Sequence, residues 1–163
     1  LILIIAPRNI ERSREVGQLA QREGFQAELW SSGNRLGRSL LILDTIGELA
    51  SMYQLADVSF IGGSLVKAGG HNPLEPAAYG VPTLFGPHMD DFSEIAEHME
   101  QIQAAKTVRT ADDMEKCLIE ILSNDSTRKE MSKASHNFMQ ACSGVTSAHI
   151  IEIEKLVKTK QQL

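Results

Sequence analysis

Two glycine pairs, Gly62-Gly63 and Gly69-Gly70, lead directly into His71, Asn72, Pro73, Leu74 and Glu75. Glycine at this density weakens a helix or strand interior, so it marks backbone that turns sharply or lets another group come close. Asn72 is a natural N-cap, and Pro73 with Leu74 suits a first helical turn. The unpaired N–H groups and dipole of such a turn favour a phosphate or carboxylate. The expectation is a backbone that closes around an anion. A plain strand-to-helix turn capped by Asn72 is the other reading.

Further candidates stand where strands are predicted to end. Pro7 and Arg8 follow an apolar run, and a guanidinium there offers a bidentate contact to phosphate, or else a surface pair with Glu11. Ile46, Gly47 and Glu48 open another helical segment, whose free N–H groups can meet a base or phosphate. Glu75 either accepts hydrogen bonds from a ribose diol or simply complements the helix dipole. His71 is a ligand contact or a structural neighbour of the cap. Lys67 is a loop cation or a solvated charge.

Short β-branched runs alternate with helical periodicity along most of the chain. Strands are predicted at Ile2–Ala6, with both faces buried, and at Phe25–Trp30, Leu40–Leu43, Val58–Ile61, Thr83–Phe85 and Lys106–Val108. Helices are predicted at Ser13–Glu23, with Val16, Leu19 and Ala20 inward, and over a stripe of Ile46, Leu49 and Tyr53. Further helices fall at Leu74–Tyr79 and Phe92–Glu100. The tail reads as three helices: Ala111–Leu122 behind a capping box of Thr110 and Asp113, then Ser126–Ala141 and Thr146–Lys158. This alternation implies an α/β fold, a Rossmann-like parallel sheet with helices on both faces and a helical C-terminal end. In such sheets ligands lie outside the carboxyl ends of the strands, so the three motifs are expected to face one crevice.

The remaining composition narrows the function. A net charge of −5 argues against a nucleic-acid partner, which needs a basic face, yet allows an anionic small ligand held by local donors. Cys117 and Cys142 have no metal-ligand spacing and read as reduced core thiols. His88, His98, His136 and His149 lack acidic or thiol partners at ligand spacing, so no metal site is expected. No Gly-x-Gly-x-x-Gly or Gly-Lys-Ser/Thr run is present, which disfavours a dehydrogenase or a P-loop nucleotidase. No nucleophile elbow or convincing general base is visible, so the chain reads as a binding unit with no catalytic residue of its own. No apolar run reaches the roughly 18 residues that span a bilayer. The opening run Leu1–Ile5 is expected to belong to a piece of a longer protein, with the first strand of this domain missing.

Taken in order, Pro7-Arg8, Asp44-Thr45-Ile46-Gly47-Glu48-Leu49, and Gly62-Gly63-Ser64 through Gly69-Gly70-His71-Asn72-Pro73-Leu74-Glu75-Pro76 resemble the C-terminal half of bacterial 3-deoxy-D-manno-octulosonic acid (Kdo) transferases. Gly86-Pro87-His88 followed by Phe92 fits the same pattern. The resemblance covers nearly the whole chain, and implies one half of a two-domain GT-B glycosyltransferase. It implies a CMP-Kdo donor, no cofactor and no metal. It places the CMP contacts on Pro7, Arg8, Ile46, Gly47, Glu48, Asn72, Pro73, Leu74 and Glu75, beside Gly70 and His71 of the glycine run. The family's usual Met before the Gly-Glu pair is Ile46 here, a change of little consequence if the backbone makes the contact.

The same resemblance puts the catalytic glutamate, the lipid A precursor site and the membrane anchor in an N-terminal domain. It locates the intact enzyme on the cytoplasmic face of the inner membrane, in lipopolysaccharide biosynthesis, and leaves this fragment soluble and inactive alone. Two readings compete with it: the donor half of another GT-B enzyme using a UDP-sugar, and a non-catalytic nucleotide-binding module.

Overall fold

The computed structural model describes residues 1–33 and 39–142, together with Ile150 and Ile153. The chain forms two compact units, Leu1–Met52 and Tyr53–Leu163. Each holds one parallel sheet of three short strands.

In the first unit, β1 (Leu3–Ile5), β2 (Ala27–Leu29) and β3 (Leu40–Ile42) lie in the order β1-β3-β2. Ile42 is paired on both sides, by Ile5 and Leu29, and is fully buried. Helix α1 (Ser13–Arg22) covers this sheet through Ser13, Val16, Gly17 and Ala20, the i, i+3, i+4, i+7 face. A Cβ on Gly17 would stand 3.5 Å from Ile42 Cδ1, so small residues set the approach. Leu19, expected inward, is 52% exposed because that small-residue face faces the strands instead. The strand expected to be buried on both faces is half-open as well: Leu3 is 54% exposed, since among the described residues β1 is paired on one side only.

Helix α2 (Leu49–Tyr53) crosses the boundary between the units. Ile46, expected on its apolar stripe, lies outside it and is 84% exposed. Gly47 takes φ +109°, which carries the backbone off the helical path just before α2 begins.

The second unit is built on β4 (Ser59–Ile61), β5 (Thr83–Phe85) and β6 (Ala105–Thr107), in the order β4-β5-β6. The central strand β5 is buried at every residue. Around it stand α3 (Leu74–Ala78), α4 (Ser93–Gln101), α5 (Ala111–Ser123) and α6 (Asp125–Cys142). One apolar cluster joins Ile61, Phe85, Met99 and Phe138; another joins Leu84, Val108, Ile121 and Met131. The predicted capping box opens α5: Thr110 Oγ1 accepts from Asp113 N–H at 3.1 Å, and Asp113 Oδ2 accepts from Thr110 N–H at 3.1 Å.

Helix α6 packs on α3 and α5, and its His136 ring fills the space that a Cβ on Gly80 would need. Cys142, expected in the core, is exposed at the end of α6, while Cys117 is half-buried; both are free thiols. The expected helix Thr146–Lys158 lies outside the described residues except for Ile150 and Ile153, which are helical and exposed.

Candidate nucleotide site

In the first unit, parallel pairing of β1 with β3 brings their carboxyl ends side by side. Pro7 and Arg8 leave β1 at that end, and Asp44 through Glu48 leave β3. Arg8 is exposed and makes no ion pair among the described residues; Glu11 does not engage it, and the neighbouring ion pair joins Arg12 to Glu15. Asp44 is committed to structure: Ser31 donates to it through its N–H (2.9 Å) and its hydroxyl (2.5 Å). The Ser31 hydroxyl is the main reason that the Asp44 carboxyl titrates below its ordinary range, against a smaller opposing effect of burial. Glu48 is held by the Thr45 hydroxyl, which donates to it at 2.7 Å. Nothing lies within 4 Å of where a Cβ on Gly47 would be, so this backbone stands open to an approaching group.

In the second unit, the glycine run leaves β4 beside the loop that follows β5. Ser64 ties the two together. Its side chain is fully buried, donates to the Ile61 carbonyl (2.5 Å) and accepts from Gly86 N–H (2.7 Å). The Ser64 carbonyl also accepts from His88 N–H at 2.9 Å, and Gly69 C=O accepts from Asp91 N–H at 3.0 Å.

The room beside the four glycines is therefore taken by the protein itself. The His71 ring lies over Gly62 and Gly63 with its nitrogens 3.3 Å from the two Cβ positions, Met89 Sδ sits 2.5 Å from that of Gly70, and the Asp91 carboxylate occupies that of Gly69. These glycines let the 62–70 loop interlock with the 86–91 loop. Gly69 and Gly70 also take φ of +79° and +75°, which a side chain would resist.

After the interlock the chain enters α3 much as expected. Asn72 Oδ1 accepts from Leu74 N–H at 3.0 Å, and Pro73 is already helical at φ −80°, ψ −11°. Among the described residues, the N–H groups of Asn72 and Glu75 carry no hydrogen bond. His71 and Asn72 are half-buried, Pro73 is buried, and Glu75 is exposed. The Glu75 charge reaches Tyr53, whose hydroxyl is pushed up to about 12, mainly by burial and then by that carboxylate. Tyr53 stacks on Tyr79 with centroids 6.3 Å apart. Lys67 is exposed in the loop.

The concavities only partly follow the strand ends. A hollow of about 410 Å³ is ringed by Gln21, Phe25 and Glu28 at the amino end of β2, the wrong end of the sheet for a ligand of this fold class. A smaller one, about 150 Å³, lies at the carboxyl end of β5 among Gly86, Pro87, Asp90 and Ser93. Sequence reasoning used Gly86 and Pro87 only as marks of resemblance, and the position of Gly86 just after a buried strand was the signal for this second hollow. Among the described residues, no group of three His, Cys, Asp or Glu side chains is placed to hold a metal. No helix among them is long and apolar enough to cross a membrane.

The chain is similar to the 3-deoxy-D-manno-octulosonic acid transferase of Haemophilus influenzae, 36% identical over 143 residues that make up 85% of this chain and 33% of that protein. It is also similar to the enzyme of the same name from Chlamydophila psittaci (41% over 101 residues, 61% of this chain and 23% of that one). The Aquifex aeolicus transferase is 30% identical over 123 residues, 76% of this chain and 34% of that one. The chain thus spans about a third or less of these relatives.

Its fold matches the crystal structure of the C-terminal CMP-Kdo binding domain of WaaA from Acinetobacter baumannii, with a TM-score of 0.81 and 29% identity over 86% of this chain and 74% of that one. The model of the family "Glycosyl transferases group 1" matches residues 16–138, from the first helix through the glycine loop to the buried face of α6, and the chain therefore belongs to the group 1 glycosyl transferases.

Proposed function

We propose that this chain is the donor-binding half of a Kdo transferase, holding CMP-Kdo while a separate N-terminal domain supplies the lipid A precursor site, the catalytic base and the membrane anchor. The observation that carries this reading is the likeness, in fold and at 29% identity, to a domain described as binding CMP-Kdo. The donor contacts are assigned to Pro7, Arg8, Ile46, Gly47 and Glu48 in the first unit and to Gly70, His71, Asn72, Pro73, Leu74 and Glu75 in the second. Arg8, exposed and unpaired, is the residue that meets the phosphate; Gly47 offers open backbone, and Glu75 accepts from the ribose.

Transfer is then an inverting displacement. The base in the other domain deprotonates an acceptor hydroxyl, the oxygen attacks the anomeric carbon of Kdo, and CMP departs. This half contributes by neutralising the phosphate charge that grows as the bond breaks, a role for fixed cations and donors that needs no metal. The protein acts at the cytoplasmic face of the inner membrane, in lipopolysaccharide biosynthesis, and this half turns nothing over alone.

Titration with CMP, UMP and UDP, followed by amide chemical shifts, tests the reading. Saturable CMP binding is expected, weakened about tenfold or more in Arg8→Ala, since a hydrogen bond to a charged group contributes roughly 1.5–3 kcal/mol. A preference for UDP would instead make the chain the donor half of a transferase using a different sugar nucleotide. Transfer of Kdo to a lipid acceptor by this chain alone would refute the division of labour.

A further inference from the structure

The loop that leaves β3 carries two carboxylates, and each is engaged differently. Asp44 is saturated: its Oδ1 accepts from Ser31 N–H and its Oδ2 from the Ser31 hydroxyl. Glu48 is half-buried, and only its Oε2 is engaged, by the Thr45 hydroxyl at 2.7 Å. Among the described residues, Glu48 Oε1 accepts no hydrogen bond and no cation pairs with this carboxylate.

Thr45 and Glu48 have the spacing of a capping box, so the plain reading of the pair is a helix start. The bonds run otherwise. In a capping box the hydroxyl accepts from a backbone N–H and the carboxylate accepts from the N–H of the cap, as at Thr110 and Asp113. Thr45 instead donates its hydroxyl proton to Glu48, and neither backbone bond is formed among the described residues. Gly47, at φ +109°, keeps the backbone between them off the helical path, and α2 begins only at Leu49. The pair caps nothing.

The bond does fix the Glu48 side chain. A free glutamate loses rotamer freedom when a ligand immobilises it, and that loss weakens binding. A hydroxyl that holds one oxygen removes this freedom beforehand and leaves the other oxygen open. An ionised carboxylate only accepts, so Oε1 suits a ligand group that donates. We propose that Thr45 is a positioning residue, which holds Glu48 with Oε1 presented to a donor on the nucleotide: the amino group of the base or a ribose hydroxyl. Glu48 makes the contact, Thr45 acts through it, and groups that only accept are turned away. This inference rests on the assignment of Glu48 to the donor site.

Titration of the 163-residue chain with CMP, followed by amide chemical shifts, tests it. Thr45→Val keeps the shape and removes the hydroxyl, so CMP should bind about fivefold more weakly. Thr45→Ser should restore the parent affinity. A merely structural threonine would act without regard to Glu48, so the Glu48→Ala background separates the two roles. There Thr45→Val should change nothing further. Equal losses with and without Glu48 would overturn the proposal. Two analogues locate the donor: uridine monophosphate lacks the amino group, and 2′,3′-dideoxycytidine monophosphate lacks both hydroxyls. The effect of Thr45→Val should vanish with one of them, and its persistence with both would refute the contact. A parent chain that bound no nucleotide would defeat the donor-half reading and this inference together. Parent binding with a silent Thr45→Val would sink this inference alone.

Discussion

Replacing Ser64 by alanine removes one hydroxyl that joins the ends of two strands. The side chain is fully buried, and its oxygen both donates to the Ile61 carbonyl and accepts from Gly86 N–H. Alanine fills nearly the same volume, so little cavity cost arises. The Gly86 N–H is left unpaired in the interior, at roughly 1–3 kcal/mol for such a buried group. With the Ile61 contact also lost, the expected destabilisation is about 2–3 kcal/mol. For a slope near 2 kcal/mol/M, the urea midpoint should fall by about 1 M. Far-UV circular dichroism is the suitable probe, because the long helices α5 and α6 lie in the same unit as Ser64 while Trp30, the sole tryptophan, lies in the other. Ser59→Ala is the control: its hydroxyl is only partly buried and meets Thr83 Oγ1 at 3.1 Å, so the loss should stay below about 1 kcal/mol. A Ser64→Ala midpoint within about 0.2 M of the parent, with the slope unchanged, would refute the idea that this hydroxyl clasps the loops.

Other consequences are measurable in the same protein. Ser31→Ala should raise the Asp44 pKa in a carboxyl NMR titration. The folded value is depressed, so its stabilisation is present above the ordinary carboxylate pKa and is lost as pH falls through the lower folded value; the variant should lose that acid-side contribution. Glu75→Gln should bring the Tyr53 titration down from about 12 in an ultraviolet absorbance experiment, while burial keeps it above 10. Because that pKa is raised, the corresponding stabilisation is complete below about pH 10 and disappears between 10 and 12, so alkaline unfolding should follow the same window. Gly47→Ala meets open space but an unfavourable φ, so it should cost about 1 kcal/mol in a thermal melt and no more. A larger loss would mean that the open face at Gly47 is already occupied.

Element type was readable from periodicity, and particular residues show where it stopped. Thr83–Phe85 agrees with the prediction residue for residue, because a short β-forming run with turn residues on both sides, buried throughout, has one natural frame. The capping box at Thr110 and Asp113 was equally legible, since its partners are three residues apart. Leu19 was misassigned because the packed face of α1 is made by Ser13, Gly17 and Ala20, small residues that carry little hydrophobic signal. The glycine loop was read as unusual backbone, but its partners lie in another loop: Met89 and Asp91 come near Gly70 and Gly69 only after β4 and β5 pair. Single-sequence reasoning sees that a glycine is needed, and it cannot see which neighbour needs it.

The capping box and the α5–α6 packing have a kinetic consequence. Both rest on residues close in sequence, so this helical pair carries low contact order and can form quickly. The sheets depend on distant partners, Leu3 with Leu40 and Ser59 with Thr83, and parallel pairing of this kind is slow. Synthesis from the N-terminus releases the slow part first and the fast part last. The order of emergence thus gives the strands time to find one another before α6 arrives to close over α3, and a refolding experiment started from the complete chain forgoes that head start.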